Sequence, residues 1–261
     1  MGLAIRAAGA VPAWIGAVDG AVVVGLTADE LARFADPGGA ATKVARRDLP
    51  MAVAARALGA TTVSATIWAA AGAGIEVGAT GGIGGVHPGA DHGRGADVSA
   101  DLLELARTPG VLVCSGPKSI VDPVATAERL DELGVAVVGY GVDRLPFFLA
   151  REAAVDLEHR ADAPEEVAAM AAAARGLRVR STLVLCNPVP ADAAMDALEV
   201  AAAAEEADAR AARAGAHGKA RTPFLLAALA EITGGRSLEA NLALLEDNAR
   251  VAGLVAAAMT A

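Results

Sequence analysis

Short apolar runs alternate with alanine-rich stretches along this chain, and that alternation constrains the fold more than any other feature. Six runs have the composition of buried strands: PAWIGAV, AVVVGL, IEVGAT, GVLVCSG, VAVVGYG and STLVLCN. The alanine-rich stretches have the length and composition of helices. Strands that alternate with helices predict βαβ units. We therefore expect an α/β fold, a three-layer α/β/α sandwich around a mostly parallel, mixed sheet.

Nine stretches predict helices, at residues 28–34, 49–58, 66–73, 100–107, 123–133, 164–175, 193–214, 223–233 and 238–259. The sequence from Val18 to Gly20 separates two apolar runs and predicts a hairpin. This hairpin would add an antiparallel pair beside an otherwise mostly parallel sheet. No internal repeat and no linker rich in proline or serine divides the chain, so we expect residues 1–261 to form a single domain.

Composition and charge exclude several classes of partner. The formal net charge of −9 argues against a surface for nucleic acid or an anionic membrane, so any phosphorylated substrate would be held at a local site. The N-terminal residues lack the apolar core of a signal peptide, and the alanine-rich stretches are too short to cross a bilayer. Cys114 and Cys186 each end an apolar run, which predicts buried, reduced thiols. We expect a cytoplasmic protein.

The segment from Ala79 to His87 (ATGGIGGVH) carries four glycines in five residues, directly after an apolar run. Such glycines let the backbone approach a ligand closely and point N–H groups at an anion. The segment matches neither the G-x-G-x-x-G fingerprint nor a P-loop. On its own it is therefore either a structural turn or an anion-binding loop.

Acidic and imidazole side chains cluster around the end of this segment: His87, Asp91, His92, Asp97 and Asp101. Asp97 and Asp101 share a face if one helix covers both. Alternatively, Ser99 caps a helix and leaves Asp97 just outside it. Carboxylates with few thiols suit a hard cation such as Mn²⁺ or Mg²⁺ better than structural zinc. The cluster is a candidate metal site or a solvated acidic loop.

Two lysines are candidate cations of a site. Lys118 follows an apolar run across a tight turn, so we expect it at the carboxyl edge of the sheet, where open α/β sheets bind ligands. A lysine desolvated there can attack an aldehyde; the alternative is an exposed lysine at the start of a helix. Lys43 begins a basic run with Arg46 and Arg47, which could hold a phosphate or pair with Asp48.

Asn241 and Asn248 lie seven residues apart in an otherwise apolar predicted helix, and hence on one face of it. Buried amide groups need hydrogen-bond partners. These two side chains could belong to an amide network of the core or contact a ligand.

Together, these segments resemble the pseudouridine-5'-phosphate glycosidase family, also called the indigoidine synthase A-like family. The matching segments run from Gly9 to Ala249 in the order of the family and are GAVPAWIGAVDG, TKVARRDLP, GATTVSAT, ATGGIGGVH, DVSADLLEL, VCSGPKSIVD, CNPVP and GKARTPFLLAALAEITGGRSLEANLALLEDNA. The ordered set is specific, although no single segment is decisive.

The resemblance implies reversible cleavage of the C–C glycosidic bond of pseudouridine 5'-phosphate to uracil and ribose 5-phosphate, with a divalent metal, typically Mn²⁺. Because the uracil is bonded to the sugar through carbon, there is no bridging oxygen or nitrogen whose protonation would help it to leave. The sugar ring is therefore expected to open and its C1 to be held by a lysine. The match places Lys118 on the family's nucleophilic lysine and Asp97 on its metal ligand. Substrate-binding positions fall on Lys43, Val63, Ser99, Ala100, Asp101 and Asn241, with His87, Thr80 and Gly82 as further candidates. The resemblance also implies a homotrimer.

Two departures from the family's pattern bear on activity. Family members carry, upstream of the segment GAVPA, a strand and loop whose glutamate is the proton donor, and this sequence begins downstream of them. We expect that the natural protein starts further upstream. The stretch HPGADHGRGADVS is slightly longer than in the family and lacks its aromatic residue before Asp97. The alternatives are an inactive or ribose-phosphate-binding remnant without the proton donor, and a related sugar-phosphate phosphatase.

Overall fold

The structure, a computed structural model, describes residues 1–36, 41–88, 97–216, 218 and 221–260. In chain order its elements are α1 (Gly2–Ala7), β1 (Ile15–Val18), β2 (Ala21–Val24), α2 (Ala28–Ala35), β3 (Thr42–Val44), a 3₁₀ turn (Arg46–Asp48), α3 (Leu49–Ala54), β4 (Gly59–Thr61), α4 (Val63–Gly72), β5 (Val77–Ala79), α5 (Ala100–Leu105), β6 (Gly110–Cys114), α6 (Pro123–Glu132), β7 (Val137–Tyr140), β8 (His159–Ala161), α7 (Pro164–Gly176), β9 (Thr182–Cys186), α8 (Ala197–Arg213), α9 (Arg221–Ile232) and α10 (Arg236–Ala258).

Capping residues and backbone conformation fix where several helices begin and end. The Asp122 carboxylate accepts the N–H of Ala125 at the start of α6. Asp196 caps α8 in the same way, so this helix begins at Ala197 and not at residue 193 as predicted. α3 ends at Ala54, short of the predicted residue 58, and the left-handed conformation of Arg56 (φ 51°) turns the chain away.

The larger sheet has five strands in the order β5-β6-β9-β7-β8, and all of its neighbouring strands are parallel. Alternate residues of β6 point to opposite faces. Leu112 and Cys114 pack with side chains of α4, α5 and α6, whereas Val111 and Val113 pack with those of α7 and α10. Helices thus cover both faces of the sheet. The predicted three-layer α/β/α architecture around a mostly parallel sheet is confirmed.

The predicted hairpin is present, but it belongs to a second sheet. β1 and β2 pair through a turn in which Asp19 (φ 52°) and Gly20 (φ 94°) both adopt positive φ, as a tight hairpin requires. β1 also pairs antiparallel with β4, and β4 pairs parallel with β3, so this sheet has the order β2-β1-β4-β3. The expectation that the hairpin lies beside the large sheet was wrong, because the other edge of β1 pairs with β4.

Cys114 and Cys186 are buried free thiols, as predicted, and they face each other in register on β6 and β9. A hydrogen bond to Cys114, together with burial, raises the pKa of the Cys186 thiol well above its ordinary value. Among the described helices, α10 included, none is long and apolar enough to cross a membrane.

Candidate functional site

The glycine segment and the Lys118 segment leave the carboxyl ends of β5 and β6 side by side and continue the pairing of those strands. The Ser115 N–H donates to the Gly81 carbonyl (2.8 Å), and the Ile83 N–H donates to the Gly116 carbonyl (3.0 Å). The Lys118 N–H in turn donates to the Ile83 carbonyl (3.0 Å). Lys118 is therefore held at the edge of the sheet by main-chain hydrogen bonds, where the sequence predicted it.

Three of the glycines, Gly82, Gly84 and Gly85, stand where the structure has no room for a side chain; a Cβ on Gly85 would overlap the Thr126 side chain. A Cβ on Gly82 would lie 3.0 Å from the Gly116 carbonyl oxygen and 3.3 Å from Lys118 Cγ. A Cβ on Gly84 would overlap the Ser99 side chain and lie 3.1 Å from Asp101 Oδ2. The glycine segment therefore brings its backbone into direct contact with the lysine and with the start of α5.

Asp101 is a buried carboxylate that joins three elements of the site. It is 5% exposed, and it accepts the N–H of Ser64 at the start of α4 (3.0 Å) and the N–H of Gly84 (3.1 Å). The Ser99 hydroxyl caps α5 by accepting the Asp101 N–H (3.2 Å). Of the two alternatives from sequence, the cap is confirmed, because α5 begins at Ala100 and leaves Asp97 outside the helix.

The pKa of the Lys118 amine is lowered from its ordinary value. Burial is the main cause, since it disfavours the charged form, and the positive charge of Lys43 acts in the same direction. The charges of Asp101 and Cys114 oppose the shift. The result is an amine that loses its proton more readily than a solvated lysine, which is the property a nucleophilic lysine needs.

Lys43 and Arg46, joined in one basic run in the sequence, have different surroundings. Lys43 is exposed on β3, where it pairs in register with Ala60. Arg46 donates to both carboxylate oxygens of Glu104 at 2.8 Å, and its guanidinium lies 5.7 Å from the centre of the Trp68 ring. Arg46 is thus engaged by a carboxylate, and Lys43 is the residue of this run whose charge lowers the pKa of Lys118.

The two asparagines of α10 also differ. Asn248 is fully buried, and its amide donates to the Thr80 carbonyl (2.9 Å) and to the Ser115 hydroxyl (3.0 Å) while its oxygen accepts from Asn187 (3.0 Å). It belongs to an amide network of the core. Asn241 is partly buried, and its Oδ1 lies 3.1 Å from the place a Cβ on Gly81 would take. Asn241 therefore borders the glycine segment.

His87 and Asp97 lie together at the end of the glycine segment, since the His87 N–H donates to the Asp97 carbonyl (3.0 Å). The His87 side chain is buried, and its Nδ1 has no hydrogen-bond partner among the residues that the structure describes. Burial lowers the pKa of this imidazole, although the charge of Asp97 opposes the shift. Asp97 is exposed. The predicted cluster members Asp91 and His92 lie outside the described residues.

A cavity of about 800 Å³ adjoins the site. It reaches the site at Val63 and Thr80, and its walls include Trp14 and Phe34 of the smaller-sheet region together with Val77 of β5. Val63, the first residue of α4, is buried. Ala100, the first residue of α5, is exposed. Apart from Asp91 and His92, the predicted site residues are described, and they lie on α4, α5, α10, β3 or the loops that follow β5 and β6.

The sequence matches the family model described as "Indigoidine synthase A like protein" over residues 2–258. The chain belongs to this indigoidine synthase A-like family. It is 45% identical to pseudouridine-5'-phosphate glycosidase 2 of Photorhabdus laumondii, over 97% of this chain and 80% of that protein. It is 48% identical to the pseudouridine-5'-phosphate glycosidase of Gemmatimonas aurantiaca, over 98% of this chain and 82% of that protein.

Two solved structures have the same fold as this chain. The prealnumycin C-glycosynthase AlnA, solved in complex with ribulose 5-phosphate, superposes with a TM-score of 0.90 at 42% identity and covers 99% of this chain and 84% of its own. An indigoidine synthase A-like protein from Thermotoga maritima gives 0.89 at 39% identity, with 97% and 82% covered.

Two residues that connect the site, Ser64 and Glu104, were not predicted from the sequence of this indigoidine synthase A-like protein. The Ser64 N–H binds Asp101, and Glu104 binds Arg46. The only signal for Glu104 was a charged residue between Leu102 and Leu105 in a short apolar helix, where a buried carboxylate needs a cation. Ser64 acts through its backbone, which no residue-type pattern reveals.

Proposed function

We propose that this chain catalyses the reversible cleavage of the C–C glycosidic bond of pseudouridine 5'-phosphate, giving uracil and ribose 5-phosphate. The relatives that bear this activity in their names align over nearly the whole chain. The observation that carries the proposal is Lys118, an amine of lowered pKa held at the carboxyl edge of the sheet against a glycine segment. A solved relative that binds ribulose 5-phosphate supports a sugar phosphate as the ligand.

Lys118 is the proposed nucleophile. As the sugar ring opens, the bond between C1 and the ring oxygen breaks, and the Lys118 amine forms a bond to C1. The C1–C5 bond then breaks with its electron pair moving to uracil C5, which takes up a proton, and C1 is left as an imine of Lys118. Water hydrolyses the imine to ribose 5-phosphate and the free amine. The sum is substrate plus water to uracil plus ribose 5-phosphate.

The other residues of the site are proposed to hold the substrate. Backbone N–H groups of the glycine segment, with Thr80 and Gly82, suit an anionic group. The charge of Lys43 suits the same group, and His87 and Asn241 border the segment. Val63 and the start of α5, from Ser99 to Asp101, would enclose the sugar. This set follows the family resemblance, and the short contacts among its members support it.

A divalent cation, Mn²⁺ or another hard metal, is the proposed cofactor. Asp97 would hold it, since this residue is exposed and its side chain makes no hydrogen bond to any described residue. Its backbone carbonyl accepts the His87 N–H, and the imidazole Nδ1 of His87 has no partner among the described residues. The described residues contain no group of three or more metal-ligating side chains. That is compatible with an ion that keeps several waters. When bound, it would stabilise negative charge on oxygens of the substrate.

The proton donor, the assembly and the compartment are expectations from the family resemblance. Ring opening needs a proton at the ring oxygen, which the family's upstream glutamate would supply. We expect a homotrimer in the cytoplasm with no nucleic acid or membrane partner. A ribose-phosphate-binding remnant and a sugar-phosphate phosphatase are the competing functions.

The test is release of uracil from pseudouridine 5'-phosphate in the presence of Mn²⁺. It is run on the 261-residue chain, on the chain extended through its upstream reading frame, and on Lys118→Ala. Arg33→Ala serves as a control, because Arg33 pairs with Asp19 at an exposed site in the smaller sheet. Uracil release that depends on Lys118 supports the proposal. Phosphate release without uracil would favour a phosphatase, and saturable binding without turnover would favour a binding protein.

A further inference from the structure

Arg46 and Glu104 form an ion pair in which the carboxylate is almost completely buried. The Glu104 side chain is 6% exposed and that of Arg46 is 43% exposed. Arg46 Nη1 donates to both Glu104 oxygens at 2.8 Å, and the Thr108 hydroxyl donates to Oε1 at 2.6 Å. The guanidinium also lies over the ring of Trp68 on α4. Both oxygens of this buried carboxylate are therefore satisfied, and Arg46 is held on two sides.

The pair connects the two halves of the candidate site. Arg46 begins the 3₁₀ turn that directly follows β3, the strand of the smaller sheet that carries Lys43. Glu104 lies on α5, whose first turn carries Asp101 and packs on the larger sheet beside the glycine segment. A second link runs parallel to it: the Arg46 N–H donates to the Ser64 hydroxyl (3.3 Å), and the Ser64 N–H donates to Asp101 (3.0 Å).

A gain in folding stability does not explain why the protein has this buried ion pair. Burying a carboxylate carries a desolvation cost that its ion pair often fails to exceed, and well-packed apolar residues frequently replace buried pairs without loss. A pair of this kind does restrict geometry, since Nη1 contacts both oxygens of a buried carboxylate while the planar guanidinium lies over an aromatic ring. In contrast, Arg33 of α2 and Asp19 of the turn between β1 and β2 form an ion pair in which both side chains are exposed, at 44% and 59%.

We propose that Arg46 and Glu104 are positioning residues for the reaction, which fix Lys43 on the smaller sheet relative to Lys118 on the larger one. The inference extends the proposed function and depends on it for the roles of the two lysines. It assigns neither Arg46 nor Glu104 a contact with the substrate. Displacing a binding group by about 1 Å costs up to roughly 100-fold in rate, so loosening the pair has a measurable effect.

The variants are Arg46→Ala, Arg46→Lys and Glu104→Gln, with Arg33→Ala as the matched control. We expect Arg46→Ala to lower kcat/KM by about 10- to 100-fold. Arg46→Lys should recover only part of the loss, because an ammonium keeps the charge but lacks the planar guanidinium that lies over the Trp68 ring. Glu104→Gln removes the negative charge of Glu104 but keeps the shape of the side chain and its contact with Thr108. This variant therefore tests the ion pair even if Arg46→Ala fails to fold. Arg33→Ala should leave kcat and KM unchanged.

A second readout separates positioning from a merely structural role and does not require turnover. Lys118 is labelled with pyridoxal 5'-phosphate and borohydride over a range of pH, and the modified peptide is quantified by mass. The charged groups that act on Lys118 are Asp101, Lys43 and Cys114. If Lys43 is displaced, its pKa-lowering effect weakens, and the labelling midpoint of Arg46→Ala moves to higher pH.

Unchanged kcat, KM and labelling midpoint in folded Arg46→Ala and Glu104→Gln, with only a lower Tm, would overturn the positioning role. If neither the 261-residue chain nor the chain extended upstream releases uracil, the proposed function is refuted instead. In that case the labelling midpoints still decide whether the pair sets the relation between the two lysines.

Discussion

Asn241 and Asn248 lie two turns apart on one helix, yet only Asn248 is sealed in the core, where its amide connects the ends of β5, β6 and β9. Asn241 borders the glycine segment at the edge of the candidate site. The sequence left open whether these amides belong to the core or contact a ligand, and the structure shows that Asn248 belongs to the core.

Alanine at these two positions should therefore change different properties: Asn248→Ala the stability of the fold, and Asn241→Ala the binding of the substrate. Asn248→Ala leaves the Thr80 carbonyl and the Ser115 hydroxyl without a side-chain partner among the described residues, and each buried polar group left unsatisfied costs about 1–3 kcal/mol. Asn241→Ala should change Tm little and raise KM for the sugar phosphate. Thermal unfolding and steady-state kinetics of both variants check this. An equal loss of Tm in the two would contradict it.

Lys118→Met should abolish uracil release and make the protein more stable at neutral pH. The folded-state pKa of this amine is lowered, so folding disfavours its charged form. The unfolded chain binds the proton more tightly, and stability falls as pH drops below the ordinary pKa of lysine. An uncharged side chain of similar length removes that cost. Tm at pH 7 is the measurement, and a Tm below that of the wild type would refute the argument.

Replacing the neighbours of Lys118 should move its titration in opposite directions. Asp101 raises the pKa of Lys118 and Lys43 lowers it. Asp101→Asn should thus shift the pH midpoint of Lys118 labelling downward, and Lys43→Met should shift it upward. The labelling experiment with pyridoxal 5'-phosphate gives both midpoints. Shifts of the same sign would mean that the two variants act through a change of structure.

Gly84→Ala should destabilise the protein and impair the site, because the added Cβ collides with Ser99, the cap of α5. Overpacking of this kind costs about 1–3 kcal/mol. Gly176→Ala is the control: it lies in α7, has no heavy atom within 4 Å of the added Cβ, and should stabilise by about 0.5–1 kcal/mol. Denaturant unfolding measures both, and tolerance of alanine at residue 84 would mean that Ser99 moves freely.

Patterns of apolar residues were sufficient for the long elements and insufficient for the short ones. Each of the six apolar runs contains a strand, because the β-branched residues that favour strands are also the residues that the fold buries there. β3, β4 and β8 were missed because each has three residues, with polar side chains or glycine among them, and no apolar period to detect. Their existence depends on pairing with strands that are distant in the sequence, which also explains the division into two sheets.

The candidate site could be assembled from sequence only by resemblance to a family. Spacing alone did not decide whether Lys118 is a nucleophile or an exposed lysine. Its pKa is lowered by burial, which only the fold creates. The same holds for the bond from Asp101 to the Ser64 N–H, which joins residues 37 apart in the chain. Residue types predict which groups are present, and tertiary packing decides which of them meet.

The glycine segment and the Lys118 segment are joined through main-chain groups, from Ser115 and Gly81 to Lys118 and Ile83. Mutation alters side chains and leaves those groups in place, so substitution changes this part of the site mainly at Gly82, Gly84 and Gly85, where a Cβ has no room. The walls of the adjoining cavity, in contrast, are side chains such as Trp14 and Phe34 and can vary. Substitutions can therefore reshape the cavity while the backbone that holds Lys118 keeps its hydrogen bonds.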